Sequence, residues 1–262
     1  MCRVLKASRS GYYDWLKKDK FDAYRHELIE LVKDLHEKKR QRLGSRRMSQ
    51  ELCKRGYQVG RYKARRLMRE AGVECRQRRR VKVTTDSKHG YKCAPNLLQQ
   101  QFETREPNCV WVADITAIWT LSGWIYLAAV MDLYNRQIVG WAIANNMRVE
   151  LTLDALEMAI ERCNPEPGLV HHSDRGSQYA STIYQDRLRQ EGMIASMSRK
   201  GNCWDNAVME RFFGSLKSEW TDHCRYQGFH DASKDIAQFI EWEYNAGRGH
   251  TSLEGLAPAE VC

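Results

Sequence analysis

The 262 residues suffice for one large domain and a small one, and a hydrophobic share of 42% is ordinary for a globular chain in water. The formal charge of +9 hides an asymmetry: residues 1–90 hold 27 Lys and Arg against 11 Asp and Glu, and residues 91–262 hold 15 against 22. No apolar run is long enough to span a membrane and the first residues lack a signal-type apolar stretch. The nine irregularly spaced cysteines form no Cys-x-x-Cys pair, so a membrane protein, an exported protein and a disulfide or zinc scaffold are all disfavoured. Reduced thiols in a cytoplasmic protein are expected.

The basic first third reads as helical. Ser8 or Ser10 can cap a short helix whose tyrosines and Trp15 are expected to pack inward, and Leu28, Leu31, Val32 and Leu35 continue at helical spacing. After Gly44, Met48 and Leu52 mark one short helix, Gly56 closes it, and Val59–Gly72 opens another that bears Arg61, Lys63, Arg65, Arg66 and Arg69. Two short helices around a glycine turn are a helix-turn-helix candidate, with a plain helical hairpin as the alternative. Such a basic block suits a polyanion, although solvated basic helices would carry the same composition. Residues 75–106, first Arg-rich (Arg78, Arg79, Arg80) and then polar, read as a linker that can follow a phosphate backbone.

Strands follow. Val110–Trp119 is apolar on both faces, as in the middle of a covered sheet, and Asp114 interrupts it. Turns at Ser122-Gly123 and Asn135-Arg136 separate Trp124–Met131 and Ile138–Ala144, giving a three-strand meander. A helix from Leu151 to Cys163, a strand Leu169–Asp174, a helix Thr182–Gln190, a strand Ile194–Met197 and a last helix complete the order βββαβαβα. In that last helix Met209, Phe212, Phe213, Leu216 and Trp220 form one apolar stripe, and Asp205 or Asn206 can cap its start. Asn206, Glu210 and Lys217 fall on a second stripe beside it. Adjacent His171 and His172 on a strand point to opposite faces, which argues against a joint metal site.

Asp114 and Asp174 sit where an unpaired carboxylate is costly to bury, so each needs a partner. A buried arginine or lysine pair is one answer, with Arg175 and Lys217 as candidates. A hard divalent cation is the other, since it prefers oxygen ligands and keeps waters and phosphate oxygens. Two such ions clamp the attacking and leaving oxygens of a phosphoryl displacement.

Asp114 in Trp-Val-Ala-Asp-Ile-Thr, Asp174 in His-Ser-Asp-Arg-Gly-Ser-Gln-Tyr, Glu210 after 35 intervening residues and Lys217 seven further on resemble the Asp-Asp-35-Glu signature of retroviral-integrase-type cores. Gly123-Trp-Ile-Tyr-Leu, Asp132-Leu-Tyr-Asn-Arg, Ile138-Val-Gly-Trp and Ser196-Met-Ser-Arg-Lys-Gly-Asn-Cys-Trp-Asp-Asn-Ala are similar to the catalytic second-frame product of bacterial insertion-sequence transposases of the insertion-sequence-three family. The resemblance runs over nearly the whole chain. Its tail departs at Gly249, where the family usually carries proline.

The resemblance implies an α/β ribonuclease-H-like integrase core, with a mixed five-stranded sheet and flanking helices, behind a small helix-turn-helix-like domain. The expected layout is a DNA-binding domain at 1–74, a linker at 75–106, the core at 107–222 and a helical extension at 223–262. It implies metal-dependent DNA strand cleavage and strand transfer, with Asp114, Asp174 and Glu210 holding two Mg²⁺ ions and Mn²⁺ able to substitute. Lys217 would position DNA, Asn206 and His172 are secondary site residues, and Asp132 is expected to be structural. The implied partners are double-stranded DNA, further copies of the chain, and an upstream-frame helix-turn-helix and leucine-zipper segment joined by frameshifting. The implied setting is the bacterial cytoplasm at the nucleoid. The competing functions are a catalytically silent DNA-binding regulator and a nuclease that cuts without joining.

Overall fold

The computed structural model describes residues 8–17, 23–75, 93–199 and 203–261. The chain forms two compact units, Met1–Arg76 and Gln77–Cys262. Among the described residues no helix is long and apolar enough to cross a membrane.

The first unit is helical, with α1 (Arg9–Lys17), α2 (Ala23–Lys38), α3 (Ser45–Lys54) and α4 (Arg61–Glu70). Leu28, Val32, Leu35, Met48, Leu52, Val59, Ala64 and Leu67 close its core, as their helical spacing requires. Gly56 takes φ +87° in the turn after α3, a left-handed conformation that glycine adopts without steric penalty. Arg25 on α2 pairs with Glu70 at the end of α4 at 2.6 Å. Tyr12 and Tyr13 on α1 are 46% and 53% exposed, so the tyrosines expected to pack inward do not.

In the second unit, β1 (Val110–Thr120), β2 (Gly123–Asp132), β3 (Ile138–Ala144), β4 (Val170–Ser173) and β5 (Ile194–Met197) form one sheet in the order β3-β2-β1-β4-β5. The meander β1-β2-β3 is antiparallel, whereas β4 and β5 run parallel to β1. β1 is the central strand, which explains why its sequence is apolar on both faces. One face packs α5 (Val149–Cys163), α6 (Ser177–Ala180) and α7 (Thr182–Gln190) over Trp111, Ala113, Ala128 and Val130. The contact with α5 is close at Gly140, where a Cβ would stand 2.1 Å from the Ala155 carbonyl oxygen. Only glycine fits there, which is the physical content of the Ile138-Val-Gly-Trp motif.

The other face packs α8 (Ala207–Glu219), α9 (Phe229–Gln238) and a π-helical turn, Phe239–Asn245, over Val112, Leu127, Ala129 and Met131. Residues after 223 are thus part of the core through Ile236, Phe239, Ile240 and Tyr244. Asn245 donates to the Ile138 carbonyl at 3.0 Å and accepts from its N–H at 2.9 Å, completing the backbone pairing of edge strand β3 beside its bulge. Part of the segment read as a linker also belongs here. Leu98 is buried against this face, the Met197 N–H donates to the Pro95 carbonyl at 3.2 Å, and the Leu97 N–H donates to Ser196 Oγ at 2.9 Å.

Candidate active site

β1 and β4 pair in parallel through Val112 opposite His172, and two residues further along each strand come Asp114 and Asp174. Neighbouring strands lie about 4.8 Å apart, so this register sets the two acids side by side at the point where β4 ends. Side chains alternate along a strand, and Asp114 shares the face of Val112, which α8 covers. Both acids are partly exposed. Asp114 accepts from the Ile115 N–H at 2.8 Å and Asp174 accepts from the Gly176 N–H at 2.8 Å. A Cβ on Gly176 would stand 2.9 Å from that same Asp174 oxygen, so glycine keeps this turn open to the carboxylate.

The third acid arrives on α8, whose stripe Met209, Phe212, Phe213 and Leu216 is buried as its spacing predicts. Asn206 occupies the N-cap position, but its side chain makes no capping bond. Its amide instead donates 3.1 Å to the carbonyl of Ala113, the residue before Asp114. This tie fastens the start of α8 to β1, and one turn later Glu210 emerges exposed on the same side. Asp205 does not cap the helix either, since its carboxylate faces Asn96, Gln100 and Arg199.

Electrostatics tie the groups together. Burial, and next the charge of Asp174, hold the Asp114 acid well above the usual carboxylate range; Glu210 adds to this, while the Ile115 N–H and Lys217 oppose it. Lys217, half-buried two turns beyond Glu210, is pushed down by burial and held up by Asp222 and Asp114. Four groups from three elements therefore act within electrostatic reach of one another.

The donor set is all oxygen, which suits a hard cation. Asn206 Oδ1 is buried with no partner among the described residues, as is the hydroxyl of Tyr179, whose ionisation burial, Tyr184, Asp114 and Asp174 all oppose. Among the described residues no three acidic, histidine or cysteine side chains are already closed on one point. A hard cation bound at such acids keeps waters and substrate oxygens among its ligands.

The other residues singled out in the sequence separate from this group. His172 is buried between Ser196 Oγ at 2.8 Å and Ser198 Oγ at 3.1 Å, linking β4 to β5, and burial holds it neutral with a pKa of about 4. His171 faces the opposite side, where its Nε2 meets the Tyr184 hydroxyl at 3.0 Å. Asp132 accepts from the Asn108 and Tyr134 N–H groups and has a structural role. Arg175 donates to the Ser198 carbonyl.

On α4, Arg61, Arg65, Arg66 and Arg69 are exposed opposite buried Ala64, Leu67 and Met68, while Lys63 lies over the Tyr24 ring. Tyr62, 83% exposed among them, was missed in the sequence because an isolated tyrosine in a basic run has no periodic signature. Tyr179 was equally hidden, although it ends the Asp174 motif. Arg78, Arg79 and Arg80 lie outside the described residues.

The fold and these motifs agree with known proteins. Residues 23–81 match the family described as an HTH-like domain, and residues 104–203 and 191–258 match two families described as Integrase core domain. An insertion element IS600 uncharacterized 31 kDa protein from Shigella sonnei is 44% identical over 99% of this chain and 96% of its own. The transposase InsF for insertion sequence IS3A from Escherichia coli K12 is 36% identical over 99% of this chain and 92% of its own. Among solved structures, a simian T-cell lymphotropic virus intasome in complex with the PP2A regulatory subunit B56 gamma shares the fold, with a TM-score of 0.52 at 15% identity over 89% of this chain and 73% of that one. With such relatives along its full length, the chain belongs to the IS3 family of insertion-sequence transposases.

Proposed function

We propose that Asp114, Asp174 and Glu210 are the catalytic carboxylates of this transposase and together hold two Mg²⁺ ions, for which Mn²⁺ substitutes. The observation that carries this reading is geometric: the β1–β4 register sets Asp114 beside Asp174, and Asn206 ties the start of α8 to β1 one turn before Glu210. When bound, the ions supply Lewis acidity toward phosphate and activation of the attacking oxygen. Asp114 and Asp174 are held by backbone N–H groups that orient their second oxygens, and Glu210 approaches from α8. Lys217 supplies a positive charge for the DNA backbone, and Asn206 presents its unpaired oxygen beside the acids. Water attacks a phosphodiester at an element end and frees its 3′-oxygen as a hydroxyl, which then attacks a second phosphodiester and displaces the 3′-oxygen of that strand, with no covalent protein intermediate.

The exposed face of α4, with Arg61, Lys63, Arg65, Arg66 and Arg69, together with Arg78, Arg79 and Arg80, binds double-stranded DNA through phosphate contacts. Residues 1–74 serve DNA binding and 107–222 carry the acids, while 95–98 and the extension 223–262 complete the core. Joining two ends requires at least two copies on DNA. An upstream-frame segment with a helix-turn-helix and leucine zipper, fused by frameshifting, supplies end recognition. The work is placed in the bacterial cytoplasm, at the nucleoid.

The test is an oligonucleotide assay carrying the element's terminal repeat, run on the frameshift fusion with Mg²⁺, Mn²⁺ and EDTA. Joined strands in either metal, lost in EDTA, support the reading. Cut strands alone indicate a nuclease, and a shifted band without chemistry indicates a regulator.

A further inference from the structure

Asp205 is fully shielded from solvent and takes no part in the reaction outlined above. Its two oxygens accept five hydrogen bonds: from Asn96 Nδ2 at 2.8 Å, Gln100 Nε2 at 2.9 Å, the Arg199 N–H at 2.8 Å, Arg199 Nε at 3.1 Å and Arg199 Nη2 at 3.0 Å. The bond from Arg199 outweighs burial and holds this acid well below the usual carboxylate range, so the group is a fixed negative charge. Two of its partners come from about a hundred residues earlier in the chain. That segment is itself fastened to β5 at Pro95 and Leu97, and Asn96 Oδ1 is occupied by the Gln99 N–H at 2.9 Å, which leaves its Nδ2 aimed at Asp205. The next residue, Asn206, is tied to β1 beside Asp114, and Glu210 follows one turn on.

We infer that Asp205 is a positioning residue for Glu210: clamped by the strap of residues 95–100 and by Arg199, it fixes the start of α8 and so the distance of Glu210 from Asp114 and Asp174. The inference rests on the reading of Glu210 as a metal ligand. The ion pair of buried Asp205 with exposed Arg199 would by itself mean little, because such pairs often add no net stability. The other end of α8 provides the contrast. There Glu219 pairs with Arg248, also largely buried, but nine residues beyond Glu210 and against the C-terminal tail. Both pairs anchor the helix, and only one stands next to the acids.

The experiment measures Mn²⁺ affinity of the full chain by electron paramagnetic resonance, alongside Tm and hydrogen exchange of the first turn of α8. Asp205→Asn should weaken Mn²⁺ binding by roughly 10-fold, the size typical for groups that orient metal ligands, and speed exchange in that turn. Strand transfer should then need correspondingly more Mn²⁺ and recover at saturation. Asn96→Ala and Gln100→Ala, which leave Asp205 and Arg199 in place, should shift affinity in the same direction by a few-fold and serve if Asp205→Asn does not fold. Glu219→Gln should lower Tm yet leave Mn²⁺ affinity unchanged.

Normal Mn²⁺ affinity in Asp205→Asn while Glu210→Gln loses it overturns the positioning role. So does an equal loss in Glu219→Gln, which would indicate general loosening of α8. Normal affinity in both Asp205→Asn and Glu210→Gln would instead overturn the metal reading of Glu210, and the positioning role with it.

Discussion

In the helical unit, charge stays on the surface: Arg61, Arg65, Arg66 and Arg69 stand in solvent around a core of Ala64, Leu67 and Met68. In the sheet unit the notable charges are acids: Asp114 and Asp174, partly exposed side by side at the end of β4, and Glu210, exposed on α8. Exposed arginines impose little on the fold and can be exchanged with small effect on stability. Clustered carboxylates repel one another and disfavour the fold, which motivates the proposed metal site. Opposite charges thus serve different parts of the proposal: the exposed arginines serve DNA binding, and the three acids serve the metal site.

The largest effect expected is on catalysis. Asp114→Asn, Asp174→Asn or Glu210→Gln should each reduce cleavage and joining by about 10³-fold or more, as removal of a charge-stabilising group does, with DNA affinity retained. Stability should move the other way for Asp114. Its folded pKa is raised, so as pH rises past the unfolded value the unfolded chain ionises first and the native state loses stability. Asparagine removes that loss, and Tm measured in EDTA at pH 7 should hold or rise. A variant that keeps near-normal turnover would remove its residue from the site.

Next comes binding. Changing Arg61, Lys63, Arg65 and Arg66 to Ala should lower the slope of log K against log salt by about 3 to 4, at roughly 0.9 for each phosphate no longer neutralised. The Tm of the sheet unit should not change. An unaltered slope in fluorescence anisotropy would break the division between the units.

A purely structural change should do the reverse. Gly140→Ala forces a methyl group onto the Ala155 carbonyl and should destabilise the sheet unit by about 1–3 kcal/mol, the usual range for overpacking. Urea denaturation measures this, and the salt slope of DNA binding should stay as it is.

A pH slope is expected as well. Burial lowers His171 to a pKa of about 3 and His172 to about 4. Because these folded values lie below the unfolded one near 6.5, the unfolded chain takes up protons first as pH falls. Stability is therefore present above pH 6.5 and is lost as pH falls toward 4, by about 1.4 kcal/mol per pH unit for each histidine. His171→Gln should remove one proton from that slope, as measured by denaturation at pH 7 and pH 5.

Much of this was legible in the sequence, for local reasons. β1 is apolar on both faces because it is central, and the α8 stripe shows the helical period of a helix packed on one side. The meander β1-β2-β3 follows from turn residues at Ser122-Gly123 and Asn135-Arg136, whereas the placement of β4 and β5 beside β1 is long-range. Long-range partners were not legible. Nothing local shows that Asn206 reaches for Ala113 instead of capping α8, or that Asn96 and Gln100 clamp Asp205. The pairing of Asn245 with the edge of β3 depends on a π-helical turn that hydrophobic spacing does not reveal. Tyr12 and Tyr13 misled because an aromatic residue in a short helix is core only when another element covers it.

The most direct test of the central claim, that the three carboxylates form one metal site separate from the DNA-binding face, is a Mn²⁺ titration of the full chain followed by electron paramagnetic resonance. The wild type and the fourfold Arg61, Lys63, Arg65 and Arg66 variant should bind Mn²⁺ alike, and Asp114→Asn, Asp174→Asn and Glu210→Gln should each weaken binding by about 10-fold or more. Unchanged affinity in all three carboxylate variants, or a loss confined to the basic-face variant, would contradict the account.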